Sequence, residues 1–410
     1  MLLAITYLIG KMVKLKSWAI NLGMVVASLV VGMAIAELGV RIAGLQGLKK
    51  VIGTHADFSP TFYTVSDPVF GWSYKPGASG WWKDEGEAFL EFNSAGLRGE
   101  EITEAKPENT IRVAVLGDSF TAAVQVSLAE TFVQRIQAEL ANCQNFQGKK
   151  IEAINFGVDG YGTAQQLLTL RQKVWKYQPD IVVLAFFVGN DVINNSRKLE
   201  INHFQPFFVY ENNQLVLDNS FNQLSITEGN PYMVTTVERL PVLLVNNLRI
   251  LQLINKIEVD NKKRNLTTHL DKIKVNTFIE PPDATWAEAW QITEELLVTI
   301  SQEVKQQEAE FLLFTIGTSL QVNPHQPSRE NYMKSFNIED LLYPSKRLKK
   351  LGEDYNFPVV DLVEPFQNYA DENQVCLHGF ENTAMCVGHW NADGHKLAGE
   401  IIAEKLCKGL

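Results

Sequence analysis

The chain has 410 residues, of which 46% are hydrophobic and 20% are charged, which excludes a disordered chain and predicts a globular protein with a large core. Its net charge is −10 and its densest basic run, residues 346–350, is short, which argues against a nucleic-acid partner because phosphates require clustered Lys and Arg. Neither a metal-ligand spacing nor a phosphate-binding loop is recognised in the sequence, so we expect no metal and no cofactor.

The first predicted element is an apolar helix near the N-terminus. Residues 18–36 carry no charge, and at a helical rise they extend about 28 Å, close to the hydrocarbon thickness of a bilayer. We therefore predict a membrane anchor at residues 17–40, after a cytoplasmic, lysine-containing segment at residues 1–16, with the remaining chain on the extracytoplasmic side. A cleaved signal peptide stays open, because Ala34-Ile35-Ala36 has the form of a cleavage site.

The rest of the chain divides into a lead-in, residues 41–106, with turn-rich and aromatic stretches, and a main domain, residues 107–410. The main domain alternates apolar runs with helical patterns. The predicted strands are 111–116, 151–156, 181–187, 311–316 and 358–362, and the predicted helices are 128–141, 163–177, 285–307, 338–351 and 392–408. This alternation predicts an α/β fold with a doubly wound, mostly parallel five-stranded sheet, whose site lies beyond the carboxyl ends of the strands.

An insertion at residues 196–283 interrupts this alternation. It contains a predicted hairpin at residues 207–217 and an apolar helical stretch at residues 241–257. Two interpretations stay open for the insertion, a cap over the site or a peripheral packing element.

Four short motifs occur in the main domain, and the first three lie at the ends of predicted strands. A serine that follows a strand and a tight turn can act as a nucleophile if a base reaches it. The motifs are Gly117-Asp118-Ser119-Phe120, Asn155-Phe156-Gly157-Val158-Asp159-Gly160, Gly189-Asn190-Asp191 and His389-Trp390-Asn391-Ala392-Asp393-Gly394-His395. In this order they resemble the four blocks of the GDSL/SGNH hydrolase family, over roughly residues 107–410. The resemblance implies a flavodoxin-like SGNH fold.

The resemblance also implies roles for individual residues. Ser119 would attack an ester carbonyl, and His389 would be the base that takes its proton. The backbone N–H groups of Ser119 and Gly160 and the side-chain amide of Asn190 would form the oxyanion hole. Asp118 is expected to hold the serine turn by hydrogen bonds.

The chain departs from the family at the triad acid. The family usually has an aspartate three residues before the histidine, and that position holds Cys386 here. Three explanations stay open. The imidazole N–H could be held by a backbone carbonyl in a Ser-His dyad, another acid could take the place of the aspartate, or the domain could be inactive. The possible triad acids are Glu381, Asp361 and Asp371.

Four cysteines allow three complete disulfide connectivities, among which the sequence cannot choose. Cys376 and Cys386, ten residues apart, are the favoured pair.

The leading functional hypothesis is a serine ester hydrolase or O-acyltransferase that works through an acyl-enzyme on Ser119. The resemblance implies acylated envelope glycans or small esters as substrates. The alternative is a catalytically inactive binding or scaffold protein of the cell envelope that keeps the fold.

Overall fold

The computed structural model describes residues 2–44, 62–224, 237 and 240–409. The chain forms two compact units, one of residues 1–54 and 232–267 and the other of residues 55–231 and 268–410. The larger unit contains the sheet and every residue that the sequence singles out for chemistry. The domain boundaries derived from the sequence stay a prediction.

The strands of the described residues are β1 Thr64–Asp67, β2 Gly71–Tyr74, β3 Ser79–Trp82, β4 Ala88–Glu91, β5 Thr110–Leu116, β6 Lys150–Asn155, β7 Ile181–Phe187, β8 Phe207–Glu211, β9 Gln214–Asp218, β10 Glu310–Ile316, β11 Val359–Asp361, β12 His378–Gly379 and β13 Met385–Trp390. The α-helices are α1 Leu2–Ile42, α2 Ser119–Ala122, α3 Phe132–Ala141, α4 Thr163–Gln172, α5 Asp191–Asn194, α6 Val242–Asn247, α7 Arg249–Lys274, α8 Ala284–Gln306, α9 Gln326–Phe336, α10 Tyr343–Tyr355, α11 Val363–Asn373 and α12 Ala392–Lys408.

Five strands form the central sheet in the order β11-β10-β7-β5-β6, and every pairing in it is parallel. Successive residues of β5 point to opposite faces of this sheet. Ala114 and Leu116 enter the hydrophobic core on one face, and Val113 and Val115 enter the core on the other. Helices cover both faces, so the predicted doubly wound parallel sheet is confirmed.

The predicted strands agree with the observed ones to within one residue at each end, because buried parallel strands carry nearly continuous apolar runs. The helix expected at residues 338–351 begins later, at Tyr343, with Pro344 in its first turn. The sequence did not predict α9, α11 or the antiparallel hairpin β12–β13, and this hairpin carries His389.

Residues 62–106 of the lead-in contain two antiparallel hairpins, β1–β2 and β3–β4. Apolar side chains of these residues enter the core that covers one face of the central sheet, among them Tyr63, Phe70, Tyr74 and Leu90. This part of the lead-in is therefore packed against the main domain as part of one core. Its second hairpin has a functional consequence, because its turn contains Glu85.

The smaller unit contains α1, which includes a 23-residue stretch, Ile20–Ile42, long and apolar enough to cross a membrane. The same unit contains α6 and the first part of α7. Glu37, near the end of α1, accepts hydrogen bonds from the first two backbone N–H groups of α7, those of Arg249 (3.0 Å) and Ile250 (2.8 Å). Both interpretations of the insertion at residues 196–283, a cap over the site and a peripheral packing element, stay predictions.

Candidate active site

The turn after β5 presents a serine at the edge of the sheet. Asp118 caps the short helix α2, and its carboxylate accepts a hydrogen bond from the Phe120 N–H at 2.9 Å. Ser119 is the first residue of this helix and is partly exposed. Asp118 thus holds the serine turn, as expected from the sequence. Burial raises the pKa of Asp118 to about 6.

A buried arginine of the lead-in holds the other end of this helix. The guanidinium of Arg98 donates hydrogen bonds to the carbonyl oxygens of Ala122 (2.8 Å), Ala123 and Val126. A helix end leaves carbonyl groups without partners, and a buried cation satisfies them. Ser119 is therefore on a helix that is fixed at both ends.

The imidazole of His389 links this serine to a carboxylate. Its Nε2 lies 2.8 Å from the Ser119 Oγ, and its Nδ1 lies 2.6 Å from Oε2 of Glu85. The second oxygen of Glu85 accepts a hydrogen bond from the backbone N–H of His389 at 2.8 Å. With Nδ1 protonated towards Glu85, Nε2 is the nitrogen that can take a proton from the serine. These three side chains have the arrangement of a nucleophile, a base and an orienting acid.

Glu85 corrects the expectation about the acid. Of the three carboxylates suggested from the sequence, Asp361 accepts hydrogen bonds from hydroxyls of neighbouring elements, Thr315 at 2.6 Å and Ser345 at 2.9 Å. Asp371 pairs with Arg329 at 2.7 Å, and Glu381 is exposed. His389 meets a carboxylate and not a backbone carbonyl, so the dyad explanation does not describe this geometry either.

The Glu85 turn is held from both sides. The side-chain amide of Asn382 donates to the carbonyl oxygens of Lys83 (3.1 Å) and Gly86 (2.9 Å), and its oxygen accepts from the Gly86 N–H at 2.9 Å. The indole N–H of Trp82 donates to the backbone carbonyl of Glu85 at 2.7 Å. The sequence contains no signal for Glu85, because no motif singles it out from the other acids of the turn.

The strand that carries His389 is shaped to receive this carboxylate. Gly388 has a φ of +87°, and a Cβ atom there would lie 2.0 Å from Oε1 of Glu85. Only glycine adopts this φ without strain and also leaves room for the Glu85 carboxylate. A disulfide joins Cys376 to Cys386, the pair favoured from the sequence, and so links the segment before β12 to β13. The second disulfide joins Cys143 to Cys407.

A second histidine, His378, is buried in β12. Its Nδ1 lies 2.7 Å from the carbonyl oxygen of Gly388, so it supports the strand next to the base. Burial lowers the pKa of His378 to about 4, which keeps its ring neutral. His395 is buried in α12 and stacks on Phe132, so it contributes to packing.

Burial and mutual attraction have opposite effects on the charge states of His389 and Glu85. Burial disfavours the charged form of His389, but the hydrogen bond and the charge of Glu85 outweigh it, and the pKa of His389 is raised above its usual value. Burial would likewise raise the pKa of Glu85, but the hydrogen bond to His389 and the charge of its ring lower it. The carboxylate therefore stays ionised, and the imidazole is basic enough to accept a proton.

The expected oxyanion donors lie at the same edge of the sheet. Ser119, Gly160 and Asn190 follow β5, β6 and β7, which are neighbouring parallel strands. Gly160 has a φ of +74°, and the ring of Trp72 lies 3.3 Å from where a Cβ atom of Gly160 would be. Trp72 is held there by its indole N–H, which donates to the carbonyl of Asp159 at 2.8 Å.

Comparison with known proteins gives a match for one part of the chain. Residues 113–224 match the family model described as GDSL-like Lipase/Acylhydrolase. This match contains Ser119, Gly160 and Asn190, whereas His389 and Glu85 lie outside it. No curated protein matches the chain.

Solved structures similar to this chain include three esterases or lipases. An acetyl xylan esterase, AlAXEase, is 17% identical over 73% of this chain and 100% of its own, with a TM-score of 0.35. The lipase/acylhydrolase from Enterococcus faecalis is 16% identical over 73% of this chain and 96% of its own, with a TM-score of 0.36. Axe2, an acetylxylan esterase from Geobacillus stearothermophilus, is 12% identical over 73% of this chain and 94% of its own, with a TM-score of 0.35. At such TM-scores these neighbours say nothing about the substrate of this chain.

Proposed function

Because the chain carries a GDSL-like lipase/acylhydrolase domain, we propose that it is a serine ester hydrolase in which Ser119, His389 and Glu85 form the catalytic triad. One observation carries the proposal, the continuous chain of contacts from the Ser119 Oγ through both imidazole nitrogens of His389 to the Glu85 carboxylate, at 2.8 Å and 2.6 Å. Contacts of this length are in the range of hydrogen bonds that transfer and orient a proton.

The reaction proceeds in two halves. The Ser119 Oγ attacks the carbonyl carbon of the ester while His389 Nε2 takes the hydroxyl proton, and Glu85 stabilises the imidazolium that forms. The C–O bond to the alcohol then breaks, and His389 returns the proton to the leaving oxygen. In the second half, His389 takes a proton from the acceptor as the acceptor attacks the acyl carbon. The bond between that carbon and the Ser119 Oγ then breaks, and His389 returns the proton to Oγ.

The negative oxygen of each tetrahedral intermediate needs donors that are already in place. We assign this role to the N–H groups of Ser119 and Gly160 and to the Asn190 side-chain amide. Loss of one such donor typically costs about 10²–10³ in rate.

The acceptor in the second half determines the reaction class. Water gives a hydrolase, and a sugar hydroxyl gives an O-acyltransferase. We propose acylated envelope glycans or small esters as substrates, in keeping with an N-terminal helix that could anchor the chain in a membrane with its site on the extracytoplasmic side. Release of equal amounts of p-nitrophenol and acetate from p-nitrophenyl acetate, with an oligosaccharide acceptor present, would identify a hydrolase. An excess of p-nitrophenol over free acetate would identify transfer.

The alternative is an inactive scaffold protein. Its main support was that Cys386, and not an acid, stands three residues before His389. Glu85 in contact with His389 removes that support. A fluorophosphonate probe tests the proposal directly, since it labels a serine only when the serine is activated. We expect labelling of the full chain and none of Ser119→Ala. Equal hydrolysis of p-nitrophenyl acetate by both proteins would refute the enzymatic function.

A further inference from the structure

Helices α6 and α7 meet at Leu248, and the end of α1 makes hydrogen bonds to this junction. Glu37 of α1 accepts the N–H groups of Arg249 and Ile250, at 3.0 Å and 2.8 Å. Arg41, one turn later on α1, donates to the carbonyl oxygen of Asn247 at 2.8 Å and to Glu37 at 2.7 Å. The start of α7 and the end of α6 are thus bound to two charged residues at one end of the apolar helix.

Hydrogen bonds between α6 and α7 hold the two helices together. The side-chain amide of Gln252, which is buried, donates to the carbonyl oxygens of Val245 (3.0 Å) and Asn246 (3.2 Å). Val245 is fully buried. The junction of the pair is therefore fixed by packing and hydrogen bonds, and the contacts of Glu37 and Arg41 attach it to α1.

Large aliphatic side chains on the same pair, and just before it, are exposed. Five large aliphatic side chains between residues 240 and 257 are each at least 41% exposed, and Leu243 reaches 75%. Ile254 and Ile257 are three residues apart on α7, so they share one face of the helix. Such a group of exposed aliphatic residues marks a contact surface. The five are Leu240, Leu243, Leu244, Ile254 and Ile257.

We propose that this helical pair is a membrane-interfacial element that buries its exposed aliphatic face in the lipid bilayer that α1 spans. The attachment to α1 supports the choice of lipid as the partner. The charge-free stretch of α1 ends at Ala36, so Glu37 and Arg41 mark the level at which the helix leaves the hydrocarbon. A helical pair bound to those residues is at the depth where interfacial helices insert their apolar face.

Binding of the helical pair to lipid does not depend on catalysis, so it can be tested without a substrate. All four cysteines of the chain are in disulfides, and a cysteine introduced by substitution is the one free thiol for a nitroxide label. Labels at Leu243→Cys and Ile257→Cys of the full chain, in vesicles of phosphatidylcholine and phosphatidylglycerol, report their surroundings by power saturation. Dissolved oxygen concentrates in the bilayer, and a water-soluble nickel chelate stays outside it.

Two further labels serve as controls. Val30→Cys lies in the middle of the charge-free stretch of α1, and Phe336→Cys lies on α9 of the larger unit, where Phe336 is 45% exposed. We expect the ratio of oxygen to nickel accessibility at both test positions to be several-fold higher than at Phe336→Cys, and to approach the ratio at Val30→Cys.

Three results would overturn the proposal. Test labels as accessible to nickel as Phe336→Cys would place the helical pair in water. Protection from both reagents, with spin–spin broadening between labels, would assign the face to a second copy of the chain. A Val30→Cys label accessible to nickel would show that α1 does not span the bilayer, and the surface would then lack its partner.

Discussion

Replacement of Glu85 by glutamine is the most informative perturbation of the site, because both partners of this carboxylate are donors. One oxygen accepts the Nδ1 proton of His389, and the other accepts the backbone N–H of the same residue. An amide has only one oxygen. In Glu85→Gln, therefore, its NH₂ group must face either the backbone N–H, which repels it, or the ring nitrogen, which must then give up its proton.

The second arrangement selects the wrong tautomer of His389. The ring proton moves to Nε2, the nitrogen that lies 2.8 Å from the Ser119 Oγ, and the base can no longer accept the serine proton. In serine proteases the wrong tautomer costs about 10⁴ in kcat. Glu85 and His389 keep 21% and 27% of their side-chain surface exposed, so water can replace part of the lost interaction. We expect a loss of about 10³ in kcat, equivalent to about 4 kcal/mol in the activation barrier.

The assay is hydrolysis of p-nitrophenyl acetate over a range of pH. Because Glu85 holds the pKa of His389 above its usual value, its loss lowers that pKa. The base then stays neutral at lower pH, and the acid limb of the kcat/KM profile moves to lower pH while the plateau falls.

A matched control lies in the same turn. Glu87 is 56% exposed and pairs on the surface with Lys83, so Glu87→Gln is expected to change neither the rate nor the profile. Thermal unfolding of both variants establishes that they fold. If Glu85→Gln keeps more than about a tenth of the wild-type kcat, while Ser119→Ala has none, Glu85 is not the acid that orients the base.

Three further changes act on the support of the triad. Asn382→Ala removes the three hydrogen bonds to the Glu85 turn, and we expect kcat to fall about 10²-fold at unchanged KM, since a small displacement of a catalytic group can cost that much. Gly388→Ala places a methyl group against the Glu85 carboxylate, and fluorophosphonate labelling should slow by at least about tenfold because the acid must move away. Replacement of Cys376 and Cys386 by serine should lower both the melting temperature and the kcat, because a disulfide typically contributes about 2–4 kcal/mol to stability and this one constrains the strand that carries the base.

Each of the three has a result that would contradict it. An increase in KM without loss of kcat in Asn382→Ala would point to a substrate contact instead of support for the turn. Full labelling of Gly388→Ala would show that the carboxylate is dispensable. For the disulfide, the control is the bond between Cys143 and Cys407, whose removal should destabilise the fold and leave the kcat of the folded protein unchanged. An equal loss of kcat in both disulfide variants would show that the loss follows from general destabilisation and not from release of the strand that carries His389.

The central sheet was predictable because its middle strands are buried on both faces. Ile181–Phe187 is apolar at every position, and its two neighbours in the sheet, Thr110–Leu116 and Glu310–Ile316, are mostly apolar. The position of Ser119 at the edge of the sheet was predictable for a different reason, since this residue lies in a local motif whose turn directly follows a strand. Both features depend on short-range sequence patterns.

The acid was not predictable, because its position depends on tertiary contacts. Asp84, Glu85 and Glu87 occupy one turn and look equivalent in the sequence. Only the docking of that turn on Asn382, some 300 residues later, selects Glu85. The hairpin that carries His389 was missed for a related reason, since its strands are short and are held by a disulfide and by contacts with the lead-in.

The placement of Glu85 in the lead-in hairpin has a consequence for how this protein can be dissected. A recombinant fragment that starts at Pro107 retains Ser119 and His389, and it would still contain every strand of the central sheet. It would lack the group that fixes the imidazole and also the Arg98 clamp on the serine helix. Failure of such a fragment to turn over an ester would reflect the missing hairpin and would carry no information about the chemistry of the intact enzyme.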